Sequence, residues 1–163
     1  MATENINPNV IDINLSATKK KKFRIDGDDS RIVELNTSDA RIVGRLSEAY
    51  PKLQELNERA GQITAGLDTD GETDDELKSA KIMGERLAAV DKEMRELIDY
   101  LFDANVSEIV APDGSMYDPF NGSFRFEYII EAFIAQYQDN LQAEYNKMTK
   151  QVEKHTKKYT KKK

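Results

Sequence analysis

Few residues in this 163-residue chain could do chemistry, and their spacing decides what each could do. In "DTDGETDDE", Asp68, Asp70 and Glu72 alternate as the first carboxylates of a calcium loop do. Such a loop also needs glycine at its sixth position and a bidentate glutamate at its twelfth, and counting from Asp68 puts Thr73 and Ser79 there. A solvated acidic loop is the better reading. His155 is the single histidine and sits among Lys154, Lys157 and Lys158, whose charge opposes both a bound cation and a further proton. It reads as a surface residue of a helix. Ser115 in "PDGSM" has neither a base nor the strand-to-helix elbow of a serine nucleophile. Glu127, Glu131, Asp99 and Asp103 could form a carboxylate pair, but no Glu-x-x-His motif accompanies them, so exposed helix faces are expected. The glycines never fall as GxGxxG or GxxxxGK. The chain is therefore read as non-enzymatic, with no catalytic, cofactor or metal site assigned.

Charge is more informative. The net charge is −6, but Thr64 to Asp118 holds 15 acids and 5 bases, while Lys147 to Lys163 holds 8 lysines and one acid, Glu153. The chain is a dipole, acidic in its middle and basic at its end. Lysine runs at Lys19 to Lys22 and at the C-terminus could neutralise phosphates. An acidic body, tails without arginine and the absence of interleaved stacking aromatics argue against nucleic acid as the main partner. Lys19 to Lys22 read as the solubilising edge of a strand. With no cysteine, no apolar run near the roughly 18 residues that span a bilayer and no signal-peptide pattern in "MATENINPNV", a soluble cytoplasmic protein is expected, with no membrane contact.

The elements that must position these residues follow from periodicity. Residues 1–9 carry no periodic signal and are expected to be flexible, and a single domain is expected over 10–154. In Val10 to Leu15 apolar and polar residues nearly alternate, which predicts a strand. Lys21 to Asn36 predicts a β-hairpin turning at Gly27, so the β element covers 10–36. Ser38 or Thr37 can cap a helix whose seam is Ile42, Leu46, Ala49, Leu53, Leu56, Ala60 and Ile63, with a kink or break expected at Pro51. Beyond the acidic loop, Thr73 or Asp74 caps a second helix with the seam Ala80, Met83, Leu87, Val90, Met94, Leu97 and Leu101. Two matching seams make a helical hairpin over 38–102. A connector with one short helical turn is expected over 103–122, then a final helix over 123–154 capped by Ser123, and a basic flexible tail over 155–163. The expected fold is α+β, mainly α-helical: a small N-terminal β-hairpin, a helical hairpin and a long C-terminal helix.

In the final helix, "FRFEYIIEAFIAQY" is the most apolar and aromatic stretch of the chain. Phe126, Ile129, Ile130, Phe133, Ile134 and Tyr137 must be core or interface. Core is the commoner fate of such a stripe, but two narrow seams and one hairpin offer little to cover it on all sides, so these six are the candidate partner-binding residues.

"INLSATKKKKFRIDGDDSRIVELNTSDARIVGRLSEAYPKL", the acidic helical middle and "APDGSMYDPFNGSFRFEYIIEAFIAQY" together resemble the tail assembly chaperones encoded by siphophages and prophages of Gram-positive bacteria. The resemblance runs from about Ile13 to Lys150 and rests on texture and phrases such as "FRFEYIIEAF". It implies a non-enzymatic, mostly helical, self-associating protein. Such a helper coats the tape-measure protein and keeps it soluble while tail-tube subunits polymerise around it. It also implies a frameshifted extension that recruits the major tail tube protein, and the lysine codons beneath Lys161 to Lys163 would suit a slippery site. The alternatives are a structural virion component, such as a head-tail connector or minor tail protein, and a small phage regulator that binds nucleic acid or inhibits a host defence protein.

Overall fold

Two tight reversals of the same kind stand before the first and the last helix. In the computed structural model, which describes residues 9–13, 20–66 and 76–160, β1 (Lys21–Ile25) and β2 (Asp28–Leu35) pair antiparallel, with Phe23 opposite Val33 and Arg24 opposite Ile32. Asp26 and Gly27 join them with φ of 52° and 71°. Two consecutive residues with positive φ make the turn whose twist matches the flanking strands, and Asp-Gly tolerates it. The predicted hairpin is present, and Val33 and Leu35 from β2 are fully buried.

The strand predicted from Val10 to Leu15 is not supported over its described part, because Val10 to Ile13 has no regular structure and its apolar side chains are exposed. A short alternating run with no neighbour to take its backbone hydrogen bonds gains nothing by extending as a strand. Residues 1–8, 14–19, 67–75 and 161–163 lie outside the described residues, and with them the expectations for the N-terminus, the acidic loop and the last lysines.

α1 (Ile42–Thr64) starts four residues later than predicted. The cap assigned to Ser38 or Thr37 is not formed: Arg41 stands at the N-cap position without a side-chain cap, and the Asp39 carboxylate accepts the Arg41 amide at 3.0 Å in the turn that leads into the helix. Pro51 does not break the helix. It lies on the exposed side, as does Ser47, so the carbonyl that loses its amide partner faces water. Ile42, Ala49, Leu56, Ala60 and Ile63 are buried, and Leu46 and Leu53 pack against them, which is the predicted seam.

α2 (Glu76–Phe102) runs antiparallel to α1, since the guanidinium of Arg45 donates to the Leu101 carbonyl at 2.8 Å while Arg59 meets Glu93 at 3.2 Å. Its buried residues are Val90, Met94, Ile98, Leu101 and Phe102. Ala80 at the start of the predicted seam is exposed, and Ile98 rather than Leu97 points fully inward. The helix ends where expected: Asp103 takes φ 49°, the Ala104 amide reaches back to the Asp99 carbonyl and the Asp103 amide to that of Tyr100.

The connector holds the predicted helical turn, α3 (Ser107–Val110), and a second hairpin that was not predicted, β3 (Pro119–Phe120) with β4 (Ser123–Phe124). Asn121 and Gly122 form its turn with φ of 47° and 82°. Ser123 therefore belongs to a strand, and α4 (Arg125–Thr160) begins two residues later, its first amides accepted by the carbonyls of Asp118 and Met116 at 2.9 Å. α4 also runs past Lys154 to Thr160. Lysines near the C-terminus oppose the negative end of the helix dipole, so the residues expected to fray favour the helix instead. No helix among the described residues is long and apolar enough to cross a membrane.

Candidate partner-binding surface

α4 is 36 residues long, about 54 Å, and only its first half is packed. The six candidate residues divide within that half. Phe126, Ile129, Phe133 and Tyr137 are buried, so they belong to the core and not to a docking face. The physical reason is the convergence of three elements: Phe133 meets Phe23 of β1 and Phe102 of α2 edge-on, both at 5.5 Å, and Tyr137 lies 6.0 Å from Phe102. Burial pushes the Tyr137 phenol above its ordinary range. Asn140 donates to the Ser38 hydroxyl at 2.8 Å and Leu141 is half-buried, which marks where the packed half ends.

Ile130 and Ile134 are half-buried and line an open groove of about 840 Å³ between α1 and α4. Leu46 and Leu53 lie on its α1 side with Val43 and Tyr50, which are 67% and 57% exposed. Glu127 and Glu131 also line it, and among the described residues no cation does. Val43 and Tyr50 were missed because they lie off the α1 seam. Their spacing of seven was the available sign of a second apolar face.

Past Leu141, α4 stands free of the body. Tyr145, Met148 and Val152 are 51%, 57% and 64% exposed, and every residue from 142 to 154 is exposed. Spaced 3 and 4 apart, they continue the line of Ile130, Ile134 and Leu141 along one side of the helix. Helical spacing alone puts Tyr145, Met148 and Val152 on the same face as Ile130 and Leu141, yet the six candidate binding residues do not include them.

The groups first considered for chemistry have structural partners. Asp99 accepts from the amides of Val106 and Ser107 and the Ser107 hydroxyl at 2.7–2.9 Å, which fixes the turn into α3. Ser115 donates to Asp91 at 3.1 Å and accepts the Tyr117 amide. Glu127 and Glu131 flank the groove, Asp103 ends α2, and the side chain of His155 lies outside the described residues. A second cleft of about 510 Å³ beside the two hairpins holds Arg24, Arg31 and Arg125. Each is tied: Arg24 to Asp29 at 2.8 Å, Arg31 to the carbonyls of Ile109 and Val110, and Arg125 to that of Asp113. Among the described residues no three His, Asp or Glu side chains group as a metal site. What the surface can do is pack helices.

Neither the protein-family models, the curated proteins nor the solved structures contain a significant match to this chain.

Proposed function

We propose that the chain is a tail assembly chaperone of a siphophage or prophage of Gram-positive bacteria, acting without catalysis in the host cytoplasm. It holds the long helical tape-measure protein soluble while tube subunits polymerise around it. The observation that supports this most is the free half of α4, which presents Tyr145, Met148 and Val152 to solvent within the exposed stretch 142–154, about 20 Å of helix. Apolar residues at this spacing accept an amphipathic helix through its own i, i+3, i+4 and i+7 positions. The α1–α4 groove offers a second seat of the same character.

Co-expression tests the reading. A tape-measure protein that is insoluble alone is recovered soluble and bound with the wild-type chain, and neither soluble nor bound with Met148→Glu. Mass spectrometry of purified particles separates this role from a structural one: a chaperone is absent, and recovery in stoichiometric amount would overturn the proposal.

A further inference from the structure

The groove and the free half of α4 fit each other. The groove is apolar along Leu46, Leu53, Ile130 and Ile134, and among the described residues Glu127 and Glu131 are its only charges. The free half of α4 is apolar on one stripe and net basic around it, with Lys147, Lys150 and Lys154 against Glu144 and Glu153. This helix cannot reach the groove of its own chain, because α4 is continuous from Arg125 to Thr160 and carries its far half away from the near half. A second copy can supply it.

We infer that two copies dock reciprocally, the free half of each α4 lying in the α1–α4 groove of the other. Register follows from the stripe. If Met148 of one copy lies opposite Ile130 of the other in antiparallel helices, the two-fold axis passes at residue 139, Val152 falls opposite Phe126, and Tyr145 falls beside Ile134. The axis leaves 14 residues of α4 before it and 21 after it, so the far part of each helix is long enough to span the near part of the other, and each contact occurs twice, as a self-complementary interface requires. Asp139, which would otherwise meet its own copy at the axis, is exposed and lies on the side of the helix away from the stripe. Twelve residues line the groove and the docking segment adds a similar number, in the range of about 20–30 residues a side found in stable interfaces.

The inference deepens the chaperone reading, because the stripe offered to a client is the one a second copy covers, so client and copy compete for it. It is tested without any client, and its failure is therefore separate from failure of co-expression. Sedimentation velocity of the full chain gives a dimer, and Met148→Glu on the helix and Val43→Glu on the groove each raise its dissociation constant at least about tenfold by placing a charge in an apolar contact. Both residues are exposed in the single copy, so far-UV circular dichroism stays unchanged. The chain has no cysteine, so the double variant Ile130→Cys with Met148→Cys reports the register by oxidising to a covalent dimer. A monomer at about 100 µM would overturn the inference, a concentration at which even weak specific pairs associate. So would a dimer indifferent to both glutamates, or one that cross-links through Met148→Cys alone.

Discussion

Phe133→Ala separates core from docking face within a single helix. The ring is 7% exposed and meets Phe23 at 5.5 Å and 80° and Phe102 at 5.5 Å and 65°. Truncating a buried phenylalanine costs about 3–5 kcal/mol. Each lost edge-on ring pair accounts for roughly 0.5–1.5 kcal/mol of that. Against a total stability of about 5–15 kcal/mol this is a large fraction. At about 2–4 °C per kcal/mol for a chain of this size, the thermal midpoint falls by roughly 6–20 °C. Urea unfolding followed by far-UV circular dichroism at low protein concentration measures it, with a lower midpoint and an unchanged slope. Met148→Ala on the same helix removes a side chain that is 57% exposed and costs under about 0.5 kcal/mol. A Phe133→Ala cost below about 1 kcal/mol, or a Met148→Ala cost as large as that of Phe133→Ala, would refute the division of α4 into a packed and a free half.

Three further outcomes are expected. The Arg41 side chain and amide, with Arg45 at 3.2 Å, hold the Asp39 carboxyl down from 3.8 to about 2. Because its pKa is lowered on folding, its stabilisation of about 2 kcal/mol is complete above pH 4 and is lost as pH falls from 4 through 2; the stability gap between wild type and Asp39→Asn should close over that window in urea titrations, and a gap that stays constant would count against the ion pair. Asp91 accepts the Met116 amide at 2.6 Å, the Ser115 hydroxyl and the Arg95 guanidinium, so Asp91→Ala leaves a buried amide unpaired and costs about 1–3 kcal/mol by chemical denaturation. Among the described residues the buried Tyr117 hydroxyl has no partner, and burial and then the Asp91 carboxylate push its phenol well above the ordinary range; Tyr117→Phe should match or exceed wild-type stability in the same assay, and a loss above about 1 kcal/mol would show that the hydroxyl is satisfied.

What the sequence made legible was whatever one local rule determines. The seam of α1 and the Asp26-Gly27 turn follow from helical period and from positive φ, and both are present as read. Asn121-Gly122 follows the same turn rule between Phe120 and Ser123, but two-residue strands are too short to show alternation, so the second hairpin was taken for connector. Pro51 shows the opposite limit: a breaker by local rule, it is tolerated because its face of α1 meets water.

The candidate surface lay beyond local rules altogether. An apolar stripe runs from Phe126 to Val152 with nearly constant spacing, and periodicity assigns the whole of it to one face. Whether a residue on that face is core or docking surface depends on where the rest of the protein stops, and that is set by distant partners. Phe23 and Phe102 close over Phe133, and Ser38 meets Asn140 where the packing ends. The most aromatic residues were the natural candidates for an interface, yet large rings are what a small body uses to knit β1, α2 and α4 together. The less conspicuous Tyr145, Met148 and Val152 are left outside because α4 outlasts every other element among the described residues. A helix that keeps its apolar spacing past the end of its own fold spends that spacing on something outside the chain, which is the reason to look for a client or a second copy at the far half of α4.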